Sequence, residues 1–250
     1  MALAYRPEKE EIIQSIINGV KDGEAVTDDG SFFCLDFTSF CSGNCYYCAK
    51  SRDNWDLKRS RMTAEEILED LKAAYESGTR NFLLYGGMDL YFDREKISDI
   101  VRKIKTAYPD CLLYLAVGEK VTEDYLAYKE AGADGFALFH KTANDNHFAR
   151  LHSMEYYPDF RKKMLPFLRD MGFRIGTGIT VGWPYQTAEI LAEDVAFLME
   201  LEPDLVVIDA FVPEKGTEFE GFRKGDRKQQ ENLVKLVRKI FPDIQILTHL

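Results

Sequence analysis

Little in this sequence points outward. Five cysteines in 250 residues are too few, and odd in number, for the disulfide framework of a secreted protein. No apolar run approaches the roughly 20 residues that a membrane-spanning helix needs. Basic residues are in deficit: 32 Lys and Arg stand against 42 Asp and Glu, a net charge of −10. That balance argues against a grip on nucleic acid or on an anionic membrane surface. The first residues, MALAYRPEKEEII, place charges too early for the apolar core of a signal peptide. A reducing, cytoplasmic setting is therefore expected. No Gly/Ser-rich or Pro-rich linker divides the chain.

What is present suits one folded unit. Apolar residues make up 46% and charged residues 30%, which excludes disorder. A chain of this length buries roughly 70–75% of its unfolded surface, so it needs no disulfides. Seven apolar runs alternate with helical patterns, at 32–38, 82–86, 112–117, 135–140, 174–182, 205–212 and 244–249. The runs are nearly continuous rather than alternating, as in parallel strands covered on both faces. The helices between them carry start and stop signals. Thr63 with Glu66 forms a capping box, with Gly78 at the far end. Asp93, Thr122 and Thr187 read as further caps. Pro158 suits the first turn of a helix to 172, in which Pro166 marks a kink or a late start. A last helix covers about 228–241. This order predicts an α/β fold: a partial parallel (βα) barrel of six to seven strands over 31–250, the eighth strand absent. Residues 1–30 read as a helix (9–20) and a polar connection, placed on the barrel's bottom or side.

The densest chemistry is Cys41-Ser-Gly-Asn-Cys45-Tyr-Tyr-Cys48, directly after the first strand. In a parallel barrel, catalytic loops gather at the carboxyl ends of strands. Thiolates select zinc, copper(I) or iron–sulfur clusters. Structural zinc wants a closed shell of four, and the next His in the chain is His140. Three Cys on one loop leave one iron of a 4Fe–4S cluster without a protein ligand, open to an outside molecule. Gly43 lets the backbone wrap such a cluster. The competing readings are three packed thiols and a zinc site completed from afar.

The pattern Cys-x3-Cys-x2-Cys, with an aromatic before the last Cys, resembles the radical S-adenosylmethionine (SAM) superfamily. The resemblance is nearest to the branch containing biotin synthase, methylornithine synthase and a hydrogenase maturase. Arg61-Met-Thr-Ala-Glu-Glu-Ile, His140-Lys-Thr-Ala-Asn, Gly178-Ile-Thr-Val-Gly-Trp-Pro-Tyr-Gln-Thr187 and Phe211-Val-Pro-Glu-Lys-Gly-Thr217 are similar to that branch. The resemblance implies a 4Fe–4S cluster on Cys41, Cys45 and Cys48. It also implies SAM cleavage to a 5′-deoxyadenosyl radical, a small organic substrate, and an electron donor such as flavodoxin or ferredoxin. Tyr47 matches the aromatic beside the adenine, and Gly86-Gly87 match glycines whose backbone meets the methionine amino group. Gly176, Gly178 and Gly182 lie where adenine approaches, and Val212 matches a backbone contact to it. Each has an ordinary alternative in packing or a tight turn.

The sequence also departs from the pattern. Met88 follows the glycine pair where the family often carries an acid. Lys141 stands where close relatives carry an acid after His. Leu151-His152-Ser153 replaces a Leu-Arg-Pro stretch whose Arg holds the methionine carboxylate. A protonated His152, Lys141 or Arg150 would then take over that carboxylate. The relatives' second cysteine set is missing. Cys34 and Cys111 lack ligand partners by spacing and read as inert. Asp36 and Thr38, if they point inward, line a polar lumen. Tyr114, His140 and Asp209 are further substrate candidates near the barrel mouth, weighed against core packing and satisfied polar burial. The rival class is a non-catalytic iron–sulfur protein that carries or delivers a cluster.

Overall fold

The computed structural model describes residues 3–20, 32–153 and 156–250. The polar connection expected before residue 31 lies outside the described residues from 21 onward. In chain order the elements are α1 (Lys9–Asn18), β1 (Phe32–Thr38), α2 (Ala64–Glu76), β2 (Asn81–Gly86), α3 (Arg94–Ala107) and β3 (Leu112–Ala116). Next come α4 (Thr122–Glu130), β4 (Gly135–Ala137), α5 (Asp145–Leu151), α6 (Pro158–Asp170) and β5 (Arg174–Val181). The chain closes with α7 (Ala188–Leu201), β6 (Leu205–Ala210), α8 (Arg227–Ile240) and β7 (Gln245–Leu247). The strands form one sheet in the order β1 to β7, every neighbouring pair parallel. The sheet curls into an open half-barrel, the architecture expected from the alternating runs.

Successive side chains on a strand face opposite sides, and here both sides are covered. Leu35 and Phe37, Phe82 and Leu84, and Leu113 and Leu115 face outward into a core shared with α2, α3 and α4. Leu83, Tyr114, Ala116, Ala137 and Val207 face inward and fill the lumen. A second outer core joins β5, β6 and β7 to α7 and α8, and Ile12, Ile13 and Ile16 of α1 complete it. The amino-terminal helix therefore lies along the barrel's side. All strands run one way, so their carboxyl ends, and the loops that follow, share one face.

Caps behave largely as read. Thr63 and Glu66 form the reciprocal capping box, and the side chains of Asp93 and Thr187 accept from the Lys96 and Ile190 amides. Thr122 is a correction: Val121 occupies the cap position without a side-chain bond, and Thr122 is the first helical residue. Helix α6 begins at Pro158 and runs through Pro166, so that proline does not delay its start. Helix α5 was not foreseen; the Asn144 side chain, accepting from the His147 amide, starts it. The strands at 135, 205 and 244 stop earlier than their apolar runs. β4 ends at Ala137; Lys141, with a left-handed backbone (φ 70°), rejoins the sheet by one bridge to Ile179.

Ile16 is wholly enclosed between α1, α7 and α8. Ile16→Ala should destabilise the fold by about 2–4 kcal/mol, read as a lower urea midpoint. An unchanged midpoint would mean that α1 is not part of the cooperative unit.

Candidate functional site

The cysteine loop leaves β1 and is held by arginines. The Arg59 guanidinium donates to four carbonyls: Ser39 at 2.6 Å, Lys50 at 2.8 Å, Ser51 at 2.5 Å and Asn54 at 3.0 Å. Its planar fork suits this task, because several fixed donors can gather backbone oxygens that a buried loop would otherwise leave unmet. Asn54 donates to the Ala49 and Lys215 carbonyls, both at 2.9 Å. Arg61 grips Asp89 with two bonds of 2.6 and 2.9 Å, and the Thr38 hydroxyl donates to Asp89 at 2.7 Å. Thr38 is thus a loop anchor and not a lumen-lining group: the register of β1 slips after Asp36, which turns it away.

The sulfurs sit in a crowded, amide-rich pocket. Cys41 Sγ accepts from the backbone N–H of Gly43 and of Met88, each at 3.3 Å. Burial raises the thiols of Cys45 and Cys48, the latter to about 11. Bound metal cations offset that penalty and hold such groups as thiolates. Among the described residues, no three His, Cys, Asp or Glu side chains converge on a single-ion site. Three soft donors on one loop, with amide N–H groups on a sulfur, match a cluster that takes one thiolate per iron. Two glycines make the closeness possible. A Cβ on Gly43 would lie 2.1 Å from the Tyr156 hydroxyl, and one on Gly87 would lie 2.1 Å from the Phe40 carbonyl oxygen and 2.6 Å from Cys41 Cβ.

An aromatic wall borders the cysteines. The rings of Tyr47 and Trp183 are 4.4 Å apart, and Phe211 and Phe219 continue the packing. The Tyr47 hydroxyl bonds His152 Nε2 at 3.3 Å, while His152 Nδ1 bonds the Phe148 carbonyl at 3.1 Å. Since a carbonyl only accepts, Nδ1 carries the proton and Nε2 accepts from Tyr47.

One buried cation was missed by sequence reading. Arg161, on α6, donates to Glu119 at 2.7 Å and to the Phe139 carbonyl at 3.0 Å, and its charge acts on Cys45 and Tyr47. The signal was available: Arg161, Leu165 and Leu168 share one buried face of α6. An arginine on an otherwise apolar stripe calls for a partner inside.

The Radical SAM superfamily model matches residues 35–198. The [FeFe] hydrogenase maturase subunit HydE of Thermotoga maritima is 38% identical over 212 residues, 85% of this chain and 60% of that protein. The chain belongs to the radical SAM superfamily. The 3-methylornithine synthase of Methanosarcina acetivorans is 25% identical over 82% of this chain and 58% of its own length. This chain thus spans about three fifths of the length of these relatives. The crystal structure of methylornithine synthase (PylB) superposes with a TM-score of 0.80 at 23% identity, covering 96% of this chain and 72% of that one, a likeness of fold. Enzymes of this family use a 4Fe–4S cluster and SAM.

For a radical SAM chain, several residues stand elsewhere than expected. Arg150 is exposed, its guanidinium 4.9 Å from the Tyr185 ring on the outer surface, away from the cysteines. His152 is buried and stacked on Phe148 at 3.9 Å. Burial, with Arg161 nearby, pushes it well below its usual range, so it stays neutral and serves as a prop for Tyr47. His140 faces outward, not into the mouth. It is 1% exposed, its Nδ1 bonds Thr177 Oγ1 at 2.8 Å, and Phe197 of α7 lies against it. Its Nε2 lies 3.9 Å from Asp194, whose Oδ1 accepts the Ala143 amide. Tyr114 points inward but is fully buried, its ring filling the space that Gly135 leaves, so it packs the lumen's floor.

The other candidates do reach the mouth. Asp36 pairs with Lys50 at 2.5 Å beside Tyr85. Asp209 is the last inward residue of β6, and burial raises its carboxyl to about 6. Lys141 Nζ sits 5.6 Å from the Tyr47 ring and 5.0 Å from the Phe139 ring. Gly86 meets the Thr38 methyl, and a Cβ on Gly178 would come within 3.0 Å of the Phe139 ring. The side chain of Val212 is 48% exposed beyond β6.

Gly87→Ala forces the cysteine loop off β2 at a cost of about 1–3 kcal/mol; iron and sulfide incorporation should fall while the far-ultraviolet circular dichroism is retained. Equal cluster content would show that the loop yields freely. A second expectation concerns Asp194, which burial raises to about 8. The folded chain keeps this proton over a range where the unfolded chain, with a pKa near 3.9, has released it. Its stabilising share is full below about pH 4 and is lost as pH rises toward 8, by up to about 1.4 kcal/mol per unit. Asp194→Asn should flatten the urea midpoint between about pH 5 and 8. An unchanged slope would place the proton elsewhere.

Proposed function

We propose that this chain is a radical SAM enzyme that carries a 4Fe–4S cluster on Cys41, Cys45 and Cys48 and acts on a small organic substrate in the barrel lumen. The observation that carries this is the set of three cysteines on one arginine-clamped loop at the carboxyl end of β1, close enough for their charges to act on one another. When bound and reduced, the cluster supplies the electron that splits SAM into methionine and a hydrogen-abstracting 5′-deoxyadenosyl radical. The protein's part is to bind, orient and exclude water. Tyr47 and Trp183 offer an apolar wall to the adenine, and the backbone at Gly86, Gly87, Gly178 and Val212 offers polar edges to the nucleoside and the methionyl amine. Arg161, a buried cation whose charge acts on Cys45, suits the methionyl carboxylate better than Arg150 or His152. Cys34 and Cys111 lie apart on the lumen face and the helix face, so no second cysteine set supports sulfur insertion. An external flavodoxin or ferredoxin is the proposed electron source. Among the described residues no helix is long and apolar enough to cross a membrane, and a cytoplasmic setting is proposed.

Reconstituted, oxygen-free protein given dithionite and SAM should release 5′-deoxyadenosine, and Cys41→Ala should reduce it to background. An intact cluster with no 5′-deoxyadenosine would instead favour a protein that carries a cluster without making a radical. His152, standing where the resemblance calls for a carboxylate-holding arginine and kept well below its usual range by burial, favours that second reading.

A further inference from the structure

The chain is acidic overall, with a net charge of −10, yet four of the six residues from Arg223 to Lys228 are cations. Asp226 is the one acid in that stretch, and its Oδ1 accepts from the Lys228 amide at 2.8 Å. Arg227 and Lys228 open α8, whose first turn holds no acid. A helix N-terminus carries partial positive charge, so cations there weaken the helix and call for another reason to stand there. The loop that bears these charges is fixed in place. Gly225 lies against Gly182 and donates to the Phe211 carbonyl at 2.8 Å, which seats the segment on the β5–α7 connection.

Aromatic side chains lie beside the cations. Phe222 and Tyr185 are 38% and 56% exposed, with ring centroids 5.7 Å apart. Arg150 joins them from α5, its guanidinium 4.9 Å from the Tyr185 ring. Tyr185 has a left-handed backbone (φ 65°), which is costly for a residue bearing a Cβ and usual where a side chain must be aimed. Exposed aromatics mixed with arginine are the composition of a protein contact surface. The same patch leads inward. The Phe222 ring packs on Phe219 at 5.2 Å, and Phe219 packs on Tyr46 at 6.4 Å. Tyr46 directly follows Cys45, so two ring contacts join this surface to the cysteine loop.

We propose that the patch of Arg150, Tyr185, Phe222, Arg223 and Lys224 is the docking face for a small acidic protein that carries one electron. The proposal rests on the enzyme reading above and names where its electron source binds. Carboxylates of the carrier meet the cations, and the rim of its redox centre rests on Phe222 and Tyr185. One electron then leaves the carrier's reduced centre and enters the cluster on Cys41, Cys45 and Cys48; the carrier is oxidised by one and the cluster reduced by one, with no bond or proton transferred. The charge pattern favours this occupant. The acidic chain as a whole repels an acidic carrier, so a local basic patch orients the encounter. A second copy of this chain, docked on a two-fold axis, would set cations against cations. A patch of this size suits the small, short-lived contacts typical of electron transfer.

The test uses cluster-loaded protein and an acidic flavodoxin as the probe. Binding is measured by calorimetry, and electron transfer by the stopped-flow bleaching of cluster absorbance on mixing with reduced flavodoxin. Arg223→Glu with Lys224→Glu should weaken binding and slow bleaching by at least about tenfold at low salt. The native rate should fall between about 0.05 and 0.5 M salt, while the reversed variant should lose that dependence. Phe222→Ser should weaken binding without changing the salt dependence. Bleaching by dithionite, which needs no docking face, should be the same in every protein. Reversed-charge protein that keeps the native flavodoxin rate and salt dependence would overturn the proposal. So would equal slowing with dithionite, which would make the loop a support of the cysteine site, or a dimer of the native chain that the reversal dissolves. Release of 5′-deoxyadenosine with dithionite is followed in the same samples. Its failure counts against the enzyme reading, while flavodoxin affinity and bleaching rate alone decide the docking face.

Discussion

Four backbone carbonyls converge on the guanidinium of Arg59, and the site depends on that convergence. The cysteine loop has no regular structure of its own, so its peptide groups lack the partners that a helix or strand would supply. Arg59 and Asn54 provide them, and the Arg61–Asp89–Thr38 set ties the loop's base to the ends of β1 and β2. The backbone fixed in this way holds the three cysteines on one loop, close enough for their charges to act on one another. Gly43 and Gly87 are the steric counterpart: the loop lies so near to β2 and Tyr156 that side chains there would overlap it.

Much of this was legible in the residues. The near-continuous apolar runs carried the parallel sheet, because a strand covered on both faces has no polar face to show. Cys41, Cys45 and Cys48 were legible because thiols so closely spaced have few other uses. What the pattern did not carry was direction. The inward or outward facing of a residue near a strand end depends on small slips of register, and period-two reasoning fails there. Thr38 turned away at the irregularity in β1, and His140 emerged on the helix side of β4, where Asp194 of α7 meets it. Thr38 was expected to line the lumen only if it pointed inward, and His140 was a candidate at the mouth weighed against satisfied polar burial, which is what the structure shows.

Arg161 illustrates a different limit. It sits 113 residues beyond Cys48, and nothing local links the two; only the stacking of α6 over the carboxyl end of β4 brings that cation to Cys45. Its clue was a charge on an apolar helical stripe. Two of the three expected substitutes for the relatives' arginine are placed less favourably, for physical reasons that a sequence does not display: Arg150 lies on the exposed side of α5, and His152 has both ring nitrogens engaged and is held well below its usual range by burial, while Lys141 stays beside the Tyr47 ring.

The half-barrel has one further property. Among the described residues no hydrogen bonds join β1 to β7, so the ladder itself does not fix how tightly the sheet rolls. The radius is left to the bulk of what is wedged inside. The Tyr114 ring, seated where Gly135 offers no side chain, is the largest such wedge. Through it, residue size at the floor governs the width of the opening above, and the spacing of groups around that opening becomes a matter of core volume several ångströms below.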